Sequence, residues 1–277
     1  MLEFKKFENG FEYIQIINDS ACANIALQGA HIFHYARKEE TPLLWLSDSS
    51  EFEYGKAIRG GIPLCWPSFG MNNTSLPQHG FARTSMFELV SHTELDNTKT
   101  ELVLALVDTP ESLKQWPHKF KLELKISISQ ELVMELTTTN TDEREFKITQ
   151  ALHSYFNVSD ISDAIVKGLD TKSRFDALSN KTFTQEGDIG FTEEFDSVFQ
   201  EVDAEIKLLD AIREIKINNE GSSSVVVWNP WIDKCSRISG MKKSAYKEFV
   251  CIETANAYED FKIIQPGESH TLKAIIS

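Results

Sequence analysis

Three segments carry residue types that can do chemistry. The stretch Ala151-Leu152-His153-Ser154-Tyr155-Phe156-Asn157-Val158 sets one histidine beside an aromatic pair. An imidazole that Tyr155 and Phe156 keep partly dry can exchange a proton near neutral pH. Residues 249–257 (FVCIETANA) place Glu253 directly after the apolar Val250-Cys251-Ile252. Desolvation there raises a carboxyl pKa and makes a better base at neutral pH. The plain alternative is a strand-end glutamate facing solvent. The third segment is IRGGIPLCWPSFG (58–70), followed by LPQHGFAR (76–83). It offers Arg59 before Gly60-Gly61, and Gln78, His79 and Arg83 around Gly80. Glycines let a ligand approach the backbone, and arginine forks suit phosphate oxygens. A lone arginine reads as a surface ion pair; two in glycine-bearing segments read as binding residues. One imidazole, one carboxylate and two arginines on an apolar frame suit proton transfer on a polar, anionic small molecule.

The elements that must position these groups read mostly as strands. Leu122, Leu124, Ile126 and Ile128 alternate with polar residues, and Leu132, Met134, Leu136 and Thr138 continue the period after a polar turn, as a hairpin or meander does. Residues 101–107, 224–228 and 249–252 read as strands buried on both faces. Shorter strands are expected at 12–17, 24–28, 31–35, 145–151, 164–168, 213–217 and 271–276. Helix signals are confined to 110–116, entered through Thr109-Pro110, and to 240–248. Residues 170–197 read as long loops and short strands. No repeat, linker or composition shift marks a boundary in the 277 residues. The expectation is all-β: one antiparallel β-sandwich domain over 1–277.

The formal charge of −14 argues against nucleic acid and anionic membranes as partners, while leaving room for a few local cations around an anionic substrate. Cys22, Cys65, Cys235 and Cys251 form no C-x-x-C pair and read as free thiols in a reducing compartment. With no apolar leader or long apolar run, a cytoplasmic location is expected. The glycosylation-type triplets at Asn72, Asn157 and Asn180 are read as chance matches.

In order along residues 12–275, these segments resemble the aldose 1-epimerase (mutarotase) superfamily, most nearly its hexose-6-phosphate branch. ALHSYF resembles the family segment carrying the general acid, which falls on His153. Glu253-Thr254 resembles the general-base segment. Asp196, in Glu193–Phe199, resembles a D-x-V/I-Y/F segment whose aspartate receives sugar hydroxyls. Gln78 and His79 are expected at sugar hydroxyls, with His79 also a candidate for the ring oxygen. WNPWIDK (228–234) resembles the phospho-sugar branch, with Lys234 a candidate anion contact. Trp66, Trp228 and Trp231 are candidate faces for a sugar ring. Phe87 stands where many relatives carry tryptophan.

The resemblance implies a galactose mutarotase-like supersandwich that interconverts the α and β anomers of a hexose 6-phosphate. Glu253 would take the C1 hydroxyl proton and His153 would protonate the ring oxygen, from opposite sides, with no metal or organic cofactor. The implied partner is a small sugar phosphate, and the protein a monomer or weak homodimer. The alternatives are a mutarotase of unphosphorylated sugars, a non-catalytic carbohydrate-binding sandwich, and a glycoside hydrolase with Asp196 as the second carboxylate.

Overall fold

The computed structural model describes residues 1–70 and 75–277. The Asn72-Asn73-Thr74 triplet lies outside the described residues. Two large antiparallel sheets dominate. One has nine strands, with Glu214–Glu220, Ser269–Ile276, Leu132–Asn140, Phe120–Ile128, Lys99–Val107 and Glu88–Asp96 in consecutive order. The other runs Lys181–Thr184, Ser173–Asp176, Phe195–Gln200, Ser224–Asn229, Phe249–Asn256, Gln150–Leu152 and Leu64–Cys65, and Tyr155–Asn157 also pairs with Phe249–Asn256. A four-stranded sheet (Leu2–Lys6, Glu12–Ile17, Ala21–Ala26, His31–Arg37) packs onto the same core. The all-β sandwich expectation holds, and no described helix is long and apolar enough to cross a membrane.

Alternation predicts the nine-stranded sheet well. Leu122, Leu124, Ile126 and Ile128 are fully buried, as are Leu132, Met134 and Leu136 of the next strand. Each such side chain contributes about 1.5–3 kcal/mol on leaving water. Lys99–Val107 departs from expectation: its burial alternates, with Leu102, Leu104 and Leu106 inside and Val107 exposed. It lies next to the sheet edge and has one covered face.

The expected strand 145–151 is two strands. Phe146–Ile148 pairs with Lys262–Ile264, whereas Gln150–Leu152 joins the eight-stranded sheet. Thr149 makes the switch: its N–H donates to Pro67 O (3.1 Å) and its Oγ1 accepts from Phe69 N (2.8 Å). Pro110–Gln115 is helical, capped by Thr109 and Ser112. The expected helix at 240–248 shrinks to a 3-10 turn at Ala245–Lys247, while an unexpected helix forms at Trp231–Cys235. Asn229 starts that helix, its Oδ1 accepting from Trp231 N and its Nδ2 donating to Tyr246 O and Phe249 O. All four cysteines are free.

Candidate active site

The site grows out of one face of the eight-stranded sheet. Phe249–Asn256 is buried at all eight positions and runs between Ser224–Asn229 and the pair of short strands Gln150–Leu152 and Tyr155–Asn157. Leu152 pairs with Thr254 and Tyr155 with Cys251, so the register sets His153 directly opposite Glu253. On the other side Val226 pairs with Glu253, and Val198 with Val226. Asp196, Trp228 and Tyr155 form the next row along. Both rows line a cavity of about 550 Å³.

His153 Nε2 and Glu253 Oε1 are 3.3 Å apart. Tyr155 stacks on the imidazole, ring centroids 4.8 Å apart at 10°, and Trp228 meets it edge-on at 6.0 Å. Phe156 turns to the opposite face and fills the core, so of that aromatic pair it is Tyr155 that walls the histidine. Glu253 is 1% exposed, which replaces the solvent-facing alternative with a buried carboxyl whose Oε2 has no hydrogen bond among the described residues. His153 Nδ1 is likewise buried and unpartnered.

Burial favours the uncharged form of both groups. It pushes Glu253 well above the usual carboxyl range, with the charge of Asp196 adding to the rise. It holds His153 well below the usual imidazole range, helped by His79 and Arg83. The pair therefore carries one proton between two atoms in contact, and it titrates as a unit. Cys251, next but one to Glu253, places its Sγ so that the ligand atoms of His153, Cys251 and Glu253 all lie within 4.8 Å of one another. Burial raises its thiol well above the usual range, so it is an uncharged S–H.

His79 forms the adjacent wall, edge-on to His153 at 5.7 Å. Its backbone is left-handed (φ 64°) and is pinned by bonds from its N–H to Gly70 O (2.9 Å) and from Trp66 N to its carbonyl (3.2 Å). Its Nδ1 accepts from Gly70 N at 3.2 Å, which leaves Nε2 as the protonated nitrogen of a neutral ring. Burial, then Arg83 and Arg59, lower its pKa to about 3, so it stays a neutral donor. Gly80 follows because a Cβ there would lie 2.0 Å from Trp66 O.

Arg59, Arg83, Gln78 and Asp196 all line the same cavity. Arg59 Nε donates to Ser239 O (3.1 Å), and Arg83 Nη2 donates to Gln78 O (2.7 Å). Neither arginine has a carboxylate partner among the described residues. Gly60 and Gly61 do not open the backbone to a ligand: a Cβ at Gly61 would lie 2.3 Å from Ile32 O and 2.7 Å from His31 Nε2. They serve close packing beneath Arg59. Lys234 also lines the cavity, but Glu194 (2.9 Å) and Asp196 (3.1 Å) hold its ammonium. Of the three tryptophans only Trp228 faces the cavity; Trp66 is core, donating to Thr138 Oγ1, and Trp231 packs on Tyr246. Phe87 is buried in the core as expected. Sequence reasoning missed Arg237, Ile238 and Ser239 on the wall after the unexpected helix, and Tyr258. The Asn229-Pro230 turn signal was the clue to that bend.

Residues 12–277 match the family model described as aldose 1-epimerase. The chain belongs to the aldose 1-epimerase family. It is an isomerase of the epimerase type, with mutarotase activity on a sugar. It is 36% identical over 285 residues to a candidate glucose-6-phosphate 1-epimerase of Cenchrus ciliaris, covering 96% of this chain and 84% of that one. It is 35% identical over 258 residues to a similarly named protein of Escherichia coli K12, covering 91% and 86%. A crystal structure of a candidate mutarotase from Salmonella typhimurium superposes with a TM-score of 0.92 at 32% identity, over 99% of this chain and 92% of that one. A galactose mutarotase-like protein from Lactobacillus casei shares the fold alone, with a TM-score of 0.77 at 16% identity over 96% and 99% of the two chains.

Proposed function

We propose that this epimerase interconverts the α and β anomers of a hexose 6-phosphate, with glucose 6-phosphate the foremost candidate, and that residues 1–277 work as one domain. The observation that carries the reading is the contact between His153 and Glu253 on a cavity wall. Once the pair's proton has moved from Glu253 to His153 across their contact, Glu253 takes the proton from the C1 hydroxyl while His153 gives one to the ring oxygen. The C1–O5 bond breaks, and the open aldehyde turns about C1–C2. Closure on the other face returns both protons. The two oxygens share one carbon, so an acid and a base 3.3 Å apart can serve both. A single proton shared by the pair is enough for each pass.

Four cations (Arg59, Arg83, Lys234, Arg237) and two carboxylates (Asp196, Glu253) line the cavity. Lys234 is neutralised by its partners and Glu253 by burial. The balance is local positive charge in a chain of net −14, which favours an anionic sugar. Arg83 acts more strongly than Arg59 on both imidazoles and lines the same cavity, which supports a role for it at the reacting end, with Gln78, His79 and Asp196 for the sugar hydroxyls. The names of the similar proteins support the phosphorylated substrate. The test compares anomerisation of glucose 6-phosphate and glucose by polarimetry. The reading expects kcat/KM at least about tenfold higher for the phosphate ester, the worth of one charge-assisted contact. Equal values would favour an aldose 1-epimerase of unphosphorylated sugars.

A further inference from the structure

We propose that Arg237 forms, with Arg59, the subsite for the phosphate monoester of the substrate. This rests on the hexose-phosphate reading above and assigns a residue to it. Arg237 follows the short helix Trp231–Cys235 and lines the cavity, yet its guanidinium has no partner among the described residues. Lys234, one turn earlier and the cation that the WNPWIDK segment offers as a candidate anion contact, is already committed to Glu194 and Asp196. Releasing it for a phosphate would leave the half-buried Asp196 uncompensated.

Arg59 belongs to the same wall as Arg237. Its Nε is fixed to Ser239 O, and its Cγ packs so close to Gly240 that a Cβ there would lie 3.1 Å away. That contact ties Arg59 to the loop carrying Arg237 and leaves its two terminal nitrogens without a hydrogen bond among the described residues. Two planar forks are then available to one dianion, the geometry in which arginine outperforms lysine. The location also fits. Arg237 is exposed, at the mouth, whereas His153 and Glu253 are buried in the sheet. A phosphate bound at the mouth keeps part of its hydration while C1 reaches the pair, so the dianion is not fully desolvated.

The test measures kcat/KM for glucose 6-phosphate and for glucose in wild type, Arg237→Ala, Arg237→Lys and Arg59→Ala, together with inhibition of glucose turnover by inorganic phosphate. Because Arg237 is exposed, the variants should fold. Arg237→Ala should lower the phosphate-ester-to-glucose ratio by about 10- to 100-fold, mostly through KM, and should raise the inhibition constant for phosphate by a similar factor. Arg237→Lys should recover part of both, because it restores the charge without the fork. A wild-type ratio in Arg237→Ala, with the ratio collapsed in Arg59→Ala, would overturn the assignment and leave the hexose-phosphate reading intact. A wild-type enzyme that neither prefers the phosphate ester nor responds to phosphate would overturn both.

Discussion

The strand Leu132–Asn140 alternates buried and half-buried positions from end to end, and its Leu136 stands in a row with Leu124 and Leu272 of the strands beside it. The strand Phe249–Asn256 is buried at every position, although Glu253, Thr254 and Asn256 are polar. The first strand needs nothing beyond apolar neighbours on one face. The second holds a carboxyl group against its solvation preference, and the histidine opposite it is buried as well. Burying such groups costs free energy that an apolar pair would not. The contrast separates scaffold from machinery: the nine-stranded sheet supplies stability, and the centre of the eight-stranded sheet gives some up to tune two pKa values.

Substitutions in the two strands should therefore fail in different ways. Glu253→Gln and His153→Asn should each lower kcat by about 10²–10⁴-fold, or roughly 3–5 kcal/mol of transition-state stabilisation, without loss of fold. Leu136→Ala should do the reverse. It should cost about 2–5 kcal/mol of stability in urea melts and leave kcat per folded molecule unchanged. If Leu136→Ala lowered kcat as much as Glu253→Gln, the division between the two strands would collapse.

A smaller effect sharpens the comparison at the cavity wall. Arg59→Ala should weaken the phosphorylated sugar by about 1.5–3 kcal/mol, seen as a lower kcat/KM ratio of glucose 6-phosphate to glucose. Arg83→Ala should reduce turnover of both sugars, since the charge of Arg83 acts more strongly than that of Arg59 on both imidazoles. A ratio that moved equally in both variants would merge the two roles.

pH separates the strands most finely. Glu253 has a folded pKa above its unfolded value, so its contribution to stability is full below the unfolded pKa and is lost as pH rises through the folded one. Glu253→Gln should escape that loss, so its Tm should gain on wild type with rising pH. His153 has a depressed pKa, so its contribution is present above the unfolded value and lost as pH falls. The kcat/KM profile should be bell-shaped. The acid limb marks entry of a second proton into the pair, and the alkaline limb marks loss of its only one. A flat profile from about pH 5 to 9 would exclude the pair as the titrating unit.

Much of this was legible in the chain. Alternation located the strands of the large sheet, and the dry neighbours of His153 and Glu253 singled those residues out. Their contact was not legible, because it depends on the register between segments 100 positions apart in sequence. Nor was the role of Gly60-Gly61, where the missing Cβ faces Trp45 and Ile32 rather than a ligand. Trp66 and Phe156 have the composition of a sugar platform and a site wall, but the side of the strand on which each falls sends both into the core. Arg237 sits in a stretch with no period, and only the bend at Asn229-Pro230 brings it to the cavity.

The central claim is that His153 and Glu253 move the two protons of ring opening as one unit. Its most direct test is NMR magnetisation exchange between the anomers of glucose 6-phosphate, measured with wild type, the two single variants and the double variant. The account predicts that each single variant loses about 10²–10⁴-fold in exchange rate and that the double variant loses little more than either. Near-wild-type exchange in a folded Glu253→Gln or His153→Asn protein would contradict it.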